Sequence, residues 1–330
     1  MEKLLIISAF SILFTLIGTK FLKNFLENKK IFDIPNERSS HSKPIPTGGG
    51  WIINLCIIGI IFFLDPYDKI PAIITISGLS YISWQDYLKN INIGIRLLFQ
   101  IFFISIYFAY LYFFDFYNQS QLIHIFFIIL IFTWFINIFN FMDGIDGISA
   151  IMTITICIGI IFAYLLNNSE YFPRFEILII STCFAFLYWN WNPAKIFLGD
   201  VGSIVLGFVC ALSLYWLFLD GNTWHWILSL PMYYILDTTL TLIRRLIEGK
   251  KVWKAHREHY YQKAVQSGMA HSKVVLSIII LQALIIFTCY FIKNPYLVVF
   301  LVFIESTGLI IYFSSKYKKS TEYILHVFFF

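Results

Sequence analysis

Residues 137–149 read NIFNFMDGIDGIS, and they join two long apolar runs. The flanking runs, 121–140 and 148–166, are each close to the ~20 mostly apolar residues that carry an α-helix across a bilayer. The joint between them is of another kind. Asn137, Asn140, Asp143 and Asp146 bring four oxygen-bearing side chains into ten residues, and Gly144 and Gly147 follow the two aspartates. Asn137, Asn140 and Asp143 are three apart, so they share one face at the end of a helix, and the glycines let the backbone turn there. Two membrane helices joined by a polar turn is the unit from which the rest of the fold follows.

The pattern recurs along the chain. Of 330 residues, 59% are hydrophobic and 13% charged, against about 25% charged in a soluble domain. Such a chain has too little polar surface to cover a soluble globule, so its solvent is lipid. Apolar runs at 4–26, 51–64, 70–84, 95–114, 121–140, 148–166, 175–190, 201–219, 225–243, 274–292 and 295–313 predict ten or eleven transmembrane helices in a single all-α domain, residues 1–330. The short runs 51–64 and 70–84 read either as two spans or as one re-entrant hairpin. Continuous Ile, Leu and Phe runs do not suit a β-barrel, whose strands alternate apolar and polar residues. The first run is too long, and lacks the small-residue cleavage site, for a removed signal peptide. Cys56, Cys157, Cys183, Cys210 and Cys289 all lie in apolar runs without metal-ligand spacing and read as small buried hydrophobes.

Charge placement orients the chain. With the N-terminus outside, 20 of the 24 Lys and Arg residues fall on the inner side, leaving Lys3, Lys69, Arg174 and Lys293 outside; cytoplasmic loops carry this excess. The long polar loops, 33–50, 84–90, the opening joint, 190–203 and 244–263, fall on the same side. One site assembled from several loops at the cytoplasmic face is therefore expected.

Turn chemistry alone accounts for any one Asn, Asp or Gly in the joint. Four oxygen groups at a membrane boundary exceed it, because carboxylates near a bilayer are costly and mark sites. Hard oxygen donors of this kind suit Mg²⁺ or Mn²⁺. FLGDVGS, residues 197–203, asks for the same ion. Asp200 stands between Gly199 and Gly202 at the start of a run, where a helix N-terminus can receive phosphate but a carboxylate repels it unless a cation intervenes. A simple N-cap role for Asp200 is compatible with this. In residues 244–263, Arg244, Arg245, Lys250, Lys251, Lys254 and Arg257 flank His256 and His259. Cations and imidazoles suit a diphosphate, and anionic head groups are a second use for Lys250 and Lys251. The His-x-x-His spacing would also suit zinc, which the nearby cations oppose. Asp237, inside the run 225–243 and seven residues before Arg244, is either functional or one half of a helix-orienting pair with an Arg or Tyr.

SSHSKPIPTGGG (39–50), NIFNFMDGIDGISA (137–150), FLGDVGSIVLG (197–207) and HREHYYQK (256–263) together resemble, in order and spacing, the polyprenyl-phosphate N-acetylhexosamine-1-phosphate transferases. The resemblance implies transfer of a sugar 1-phosphate from a UDP-N-acetylhexosamine to a lipid phosphate, undecaprenyl phosphate in a bacterium. UMP is released at the cytoplasmic face of the plasma membrane. It implies Mg²⁺ (or Mn²⁺) held by Asp200 and Asn140, and catalytic roles for Asp86, Asp143, Asp200 and His259. Phe197 would stack on uracil with the Asp146 turn near the base, Lys43 and Thr47 would border the nucleotide, and Arg244, His256 and Arg257 would help hold the diphosphate and sugar. The word HREHYYQ is closest to the branch that initiates O-antigen synthesis. The expected partners are donor, lipid acceptor, bilayer and, as is common in this family, a second copy; no nucleic acid is expected. One departure stands out: the family's adjacent aspartates of the second loop here read Gln85-Asp86. Two rival readings follow, a catalytically dead scaffold, favoured by Gln85, and a transporter, which the gathering of polar residues at one face disfavours.

Overall fold

The computed structural model describes residues 2–35, 40, 43–64, 68–114, 122–167, 169–221, 223–254 and 256–328. Arg38 and His41 of the first polar loop lie outside the described residues. The helices run in the order α1 (Glu2–Asn28), α2 (Gly50–Leu64), α3 (Lys69–Lys89), α4 (Ile93–Phe113), α5 (Leu122–Phe141), α6 (Ile148–Leu166), α7 (Arg174–Asn190), α8 (Asp200–Leu219), α9 (Trp224–Ser229), α10 (Met232–Ile247), α11 (Tyr260–Gln266), α12 (His271–Phe291) and α13 (Pro295–Phe328). Two two-residue strands, β1 (Phe32–Asp33) and β2 (Ile45–Pro46), pair antiparallel in the first polar loop. The protein is an all-α polytopic membrane protein. Among the described residues, α1, α4, α5, α6, α8, α12 and α13 are long and apolar enough to span a bilayer, and α2, α3 and α7 pack between them.

Burial ranks these helices. The apolar window of α8 is 89% buried and that of α1 only 17%. Helix α8 is therefore the centre post, apolar on every side, packed on α2, α3, α5 and α6. Helix α1 leans on α7 and turns Leu5, Phe10, Leu13, Ile17 and Phe21 outward, a face only lipid can cover.

The expected single span at 225–243 is instead two helices, α9 and α10, broken at Pro231. Proline has no N–H to donate and its ring clashes with the preceding turn. At the break the Gln282 side chain donates to the Leu230 carbonyl at 3.1 Å, satisfying a backbone group as the interior of a membrane protein requires. Beyond the break, α10 buries a polar stripe, Asp237, Thr238, Thr241 and Arg245, and exposes Leu240, Ile243, Leu246 and Ile247. Its inside-out pattern marks a helix whose polar face is wanted by a neighbour rather than by water.

The N-termini of α2 and α8 meet at a pair of glycines. A Cβ on Gly50 would stand 2.2 Å from the Gly202 Cα and 2.3 Å from its nitrogen. Both are backbone atoms, so no rotamer relieves the clash. Gly48 and Gly49 donate to the Phe197 carbonyl at 3.2 and 2.8 Å, and Gly50 to that of Leu198 at 2.9 Å, zipping the first polar loop to the fourth. Gly50→Ala is expected to force α2 and α8 apart, at a cost of about 1–3 kcal/mol or more. A thermal melt in detergent should drop accordingly, and a wild-type melting temperature would refute the contact.

Candidate active site

All five polar loops and the start of α12 close around one cavity of about 530 Å³. Its wall takes Thr47 from the first loop, Asp86 from the end of α3, Asp143 and Asp146 from the α5–α6 turn, Phe197 and Asp200 from the approach to α8, and His256 from the basic loop.

The turns explain how these side chains arrive. Helix α5 ends at Phe141, so the three-residue face is split. Asn137 donates to Gln100 on α4 at 2.8 Å, Asn140 reaches α8, and Asp143 lies past the helix end, accepting from Ser149 Oγ at 2.7 Å. Gly147 has φ +77°, while Gly144 is there because the Tyr261 hydroxyl would lie 2.3 Å from a Cβ. Asp146 turns away from the other acids. It accepts from Asn192 Nδ2 at 2.7 Å and the Ala194 N–H at 3.1 Å, and pairs with His271 Nδ1 at 3.2 Å. Burial works against its charge, but His271, Asn192 and Ala194 outweigh it and hold the carboxyl below the usual range. It thereby pins the 190–197 loop that carries Phe197.

Asp200 opens α8 with its side chain 44% exposed. Asn140 Nδ2 is 3.5 Å from Asp200 Oδ2, while Asn140 Oδ1 accepts from Ser203 at 2.6 Å. Arg96 Nη1 sits 2.7 Å from Asp86 Oδ2 and 3.7 Å from Asp200 Oδ2, joining the two acids. The α3–α4 hairpin makes this possible. Asn90 ends α3 in the left-handed region at φ 50°, and Asn92 caps α4 by accepting from Gly94 N at 2.8 Å. Among the described residues, Asp143 has no such cation. Burial first, and then the charges of Asp200 and Asp146, push its carboxyl up to about 7 despite the Ser149 hydrogen bond.

The basic loop is less cationic than its composition. Glu258 gathers Arg245, Lys250 at 3.3 Å, and Arg244, which also donates to the Glu258 carbonyl at 2.8 Å; Glu248 takes Lys250 at 2.7 Å. His256 stacks on His259 with ring centroids 4.9 Å apart. His259 does not line the cavity; it is buried, with Nδ1 3.1 Å from Asp237. Arg244, Arg257 and the exposed Lys43 do not line the cavity either. Asp237 has the Tyr partner of one sequence reading, Tyr233, but its main work is to accept from the backbone N–H groups of Tyr260 and Tyr261 at 3.0 and 3.1 Å. It caps α11 and thereby seats the His256–His259 loop.

Burial, then His259 and Arg245, lower the His256 pKa to about 4. His256 thus faces the cavity as a neutral imidazole at pH 7. The unfolded chain, with an ordinary imidazole near 6.5, binds this proton first as pH falls. Its contribution is therefore intact above about 6.5 and lost on acidification toward 4. Melting temperature should fall across that window, and His256→Gln should flatten the slope; an unchanged slope would count against the assignment.

Arg96 and His271 carried no weight in the sequence reading. The available signals were a lone arginine near the start of one apolar run and a histidine just before another. For a metal, Asp200 and Asn140 supply hard oxygen chemistry, but Asn140 turns its nitrogen toward Asp200. Rotating the amide exchanges the two atoms, and the Ser203 hydroxyl, both donor and acceptor, accommodates either. Among the described residues, no three His, Cys, Asp or Glu side chains converge to hold an ion alone. That fits Mg²⁺, which binds through one or two carboxylates and leaves its other positions to water and substrate phosphates.

The fold and this cavity define a polytopic helical membrane protein with an acid-rich polar site at one end of its bundle. Known proteins narrow the class. The model of glycosyl transferase family 4 matches residues 70–218. The chain is 32% identical over 211 residues to a phospho-N-acetylmuramoyl-pentapeptide-transferase of Dictyoglomus turgidum, covering 59% of this chain and 68% of that protein. It is 28% identical over 165 residues to a probable undecaprenyl-phosphate N-acetylglucosaminyl 1-phosphate transferase of Bacillus subtilis, 45% of this chain and 44% of that one. A decaprenyl-phosphate N-acetylglucosaminephosphotransferase of Mycobacterium leprae is 25% identical over 117 residues, 31% of this chain and 29% of that one. The chain thus spans less than half the length of the Bacillus relative. It belongs to glycosyl transferase family 4, among the polyprenyl-phosphate hexosamine-1-phosphate transferases.

Proposed function

We propose that the protein transfers an N-acetylhexosamine 1-phosphate from its UDP-sugar to polyprenyl phosphate, at the cytoplasmic face of a bacterial plasma membrane. An oxygen of the lipid phosphate attacks the sugar-bearing phosphorus, the P–O bond to the uridine-bearing phosphate breaks, and UMP leaves. The product is a polyprenyl diphosphate sugar, the starting unit of an O-antigen-like polysaccharide. The observation that carries this reading is the meeting of Asp86, Asp143 and Asp200, from three separate loops, in one cavity beside Arg96.

The chemistry needs little proton transfer. A phosphate monoester has its second pKa near 6 and is largely dianionic at pH 7, so the attacking oxygen needs no base. The obstacle is bringing two anions together. A Mg²⁺ held by Asp200 and Asn140 would supply charge neutralisation for the diphosphate. Arg96, paired with the wall residues Asp86 and Asp200, offers a fixed cation beside the cavity, and Asp86 orients it. His256, neutral, donates or accepts a hydrogen bond at the far wall. Phe197 would stack on uracil, held by the loop that Asp146 pins, with Thr47 alongside. Gln85 does not line the cavity whereas Asp86 does, so a single aspartate serves this wall.

The test is a donor panel: purified protein, Mg²⁺, undecaprenyl phosphate and several UDP-N-acetylhexosamines, including a 6-deoxy sugar, scored by UMP. UMP release that needs both the lipid phosphate and one of these donors is expected. No release with any donor would overturn the proposal.

A further inference from the structure

A second cavity, about 700 Å³, opens at the opposite end of the bundle. It is walled by the C-terminal ends of α2, α6 and α8 and the N-terminal ends of α3 and α7. Asp200 and Leu219 are the first and last residues of α8, so the two cavities lie about 20–30 Å apart at 1.5 Å per residue. The reaction proposed above uses nothing from this end.

Its lining is acidic and aromatic. Among the described residues, Asp68, Glu170, Glu176 and Asp220 face it with one cation, Arg174. Asp68 accepts from the Tyr107 hydroxyl and Asp220 from Ser169 at 2.9 Å, so both have a protein partner. Glu176 is different. It is 2% exposed, and among the described residues its Oε2 has no hydrogen-bond partner in full geometry. The Ser213 hydroxyl, also buried and lining the cavity, approaches that carboxyl outside full hydrogen-bond geometry. A buried acceptor left open costs about 1–3 kcal/mol, and the first turn of α7, where Glu176 stands, favours a negative charge. Tyr164 and Tyr171, rings 4.9 Å apart, and Trp216 form the apolar walls.

We propose that this cavity binds a primary ammonium group, with Glu176 as its anchor. Among the described residues, four acidic side chains against one guanidinium favour a cation. The described residues hold no three acidic, His or Cys side chains close enough to ligate a metal, and aromatic walls favour an organic cation. The open Oε2 calls for an N–H donor, which a quaternary ammonium lacks. The group comes either from the head of an ethanolamine lipid or from a soluble polyamine.

Two arms separate these sources. The full chain in lipid-free detergent is titrated with spermidine, by calorimetry at fixed ionic strength. The chain in nanodiscs of mixed phosphatidylethanolamine and phosphatidylcholine is ejected and weighed by native mass spectrometry. Saturable binding is expected in at least one arm. In that arm the primary amine should be preferred about tenfold over its trimethylated counterpart, and Glu176→Gln should weaken binding by about tenfold, one lost charge-assisted hydrogen bond. Glu170→Gln, at an exposed position, should weaken it less and keeps the test alive if Glu176→Gln does not fold. UMP release reports whether the first cavity is intact in each variant. Saturable binding in neither arm, equal binding of the trimethylated amine, or affinity untouched by both substitutions would overturn the proposal.

Discussion

Asp200→Asn is expected to reduce UMP release by roughly 10³-fold or more, the scale of losing a central charge-stabilising group. The substitution keeps size and shape and removes only charge. Asp200 is half open to the cavity and only loosely held by its neighbours, Asn140 at 3.5 Å and Arg96 at 3.7 Å, so little of the fold's stability rests on its charge. The melting temperature of the variant should therefore match wild type to within a degree or two. This pairing of results is diagnostic: silence without unfolding means that the carboxylate serves the reaction. Near-normal UMP release from Asp200→Asn would remove the reason for assigning a divalent ion to this wall. Loss of both activity and melting temperature would recast Asp200, the first residue of α8 after its N-cap Gly199, as a structural group.

Asp237→Leu should have the opposite profile. Its carboxylate is fully buried and serves the Tyr260 and Tyr261 N–H groups, the Tyr233 hydroxyl and His259 Nδ1. Leucine leaves those donors without acceptors in a buried position. Each orphan costs about 1–3 kcal/mol. The start of α11 and the loop before it are expected to come loose. Limited proteolysis should then cut within 250–259 far faster than in wild type, and turnover should fall with the displacement of His256. Asp237→Asn, which retains one acceptor oxygen, should recover part of both. A Leu variant with wild-type protease resistance would show that the loop is held by something else. The two variants together separate a group that acts on substrate from one that holds a wall in place.

Much of this protein was readable in order along the chain. Apolar runs near twenty residues long mark membrane helices because the bilayer sets their length, and ten of the eleven runs correspond to one helix each. The exception is the run broken at Pro231. Proline breaks a helix only where neighbours can satisfy the freed backbone, and Gln282, 51 residues on, does so. Acid-glycine words likewise announced the polar turns, because few residues tolerate those backbone angles beside a membrane.

Partnership was not readable. The sequence shows six basic residues around two histidines between 244 and 257 and on to 259. Only the folded chain shows Glu258 drawing Arg244, Arg245 and Lys250 together, and burial making His256 a neutral wall group rather than a cation. Asp237, an acid inside a span, read either as functional or as half of a helix-orienting pair; its role emerged when α11, more than twenty residues later, presented two N–H groups to it. Arg96 drew no attention until a hairpin turn set it between Asp86 and Asp200. Solvent preference is a property of each segment, so composition alone determined that this chain is a bundle of membrane helices with its polar loops in five places. Which charges remain free for a substrate depends on distances of a few ångströms between segments far apart in sequence, and tertiary packing alone decided those.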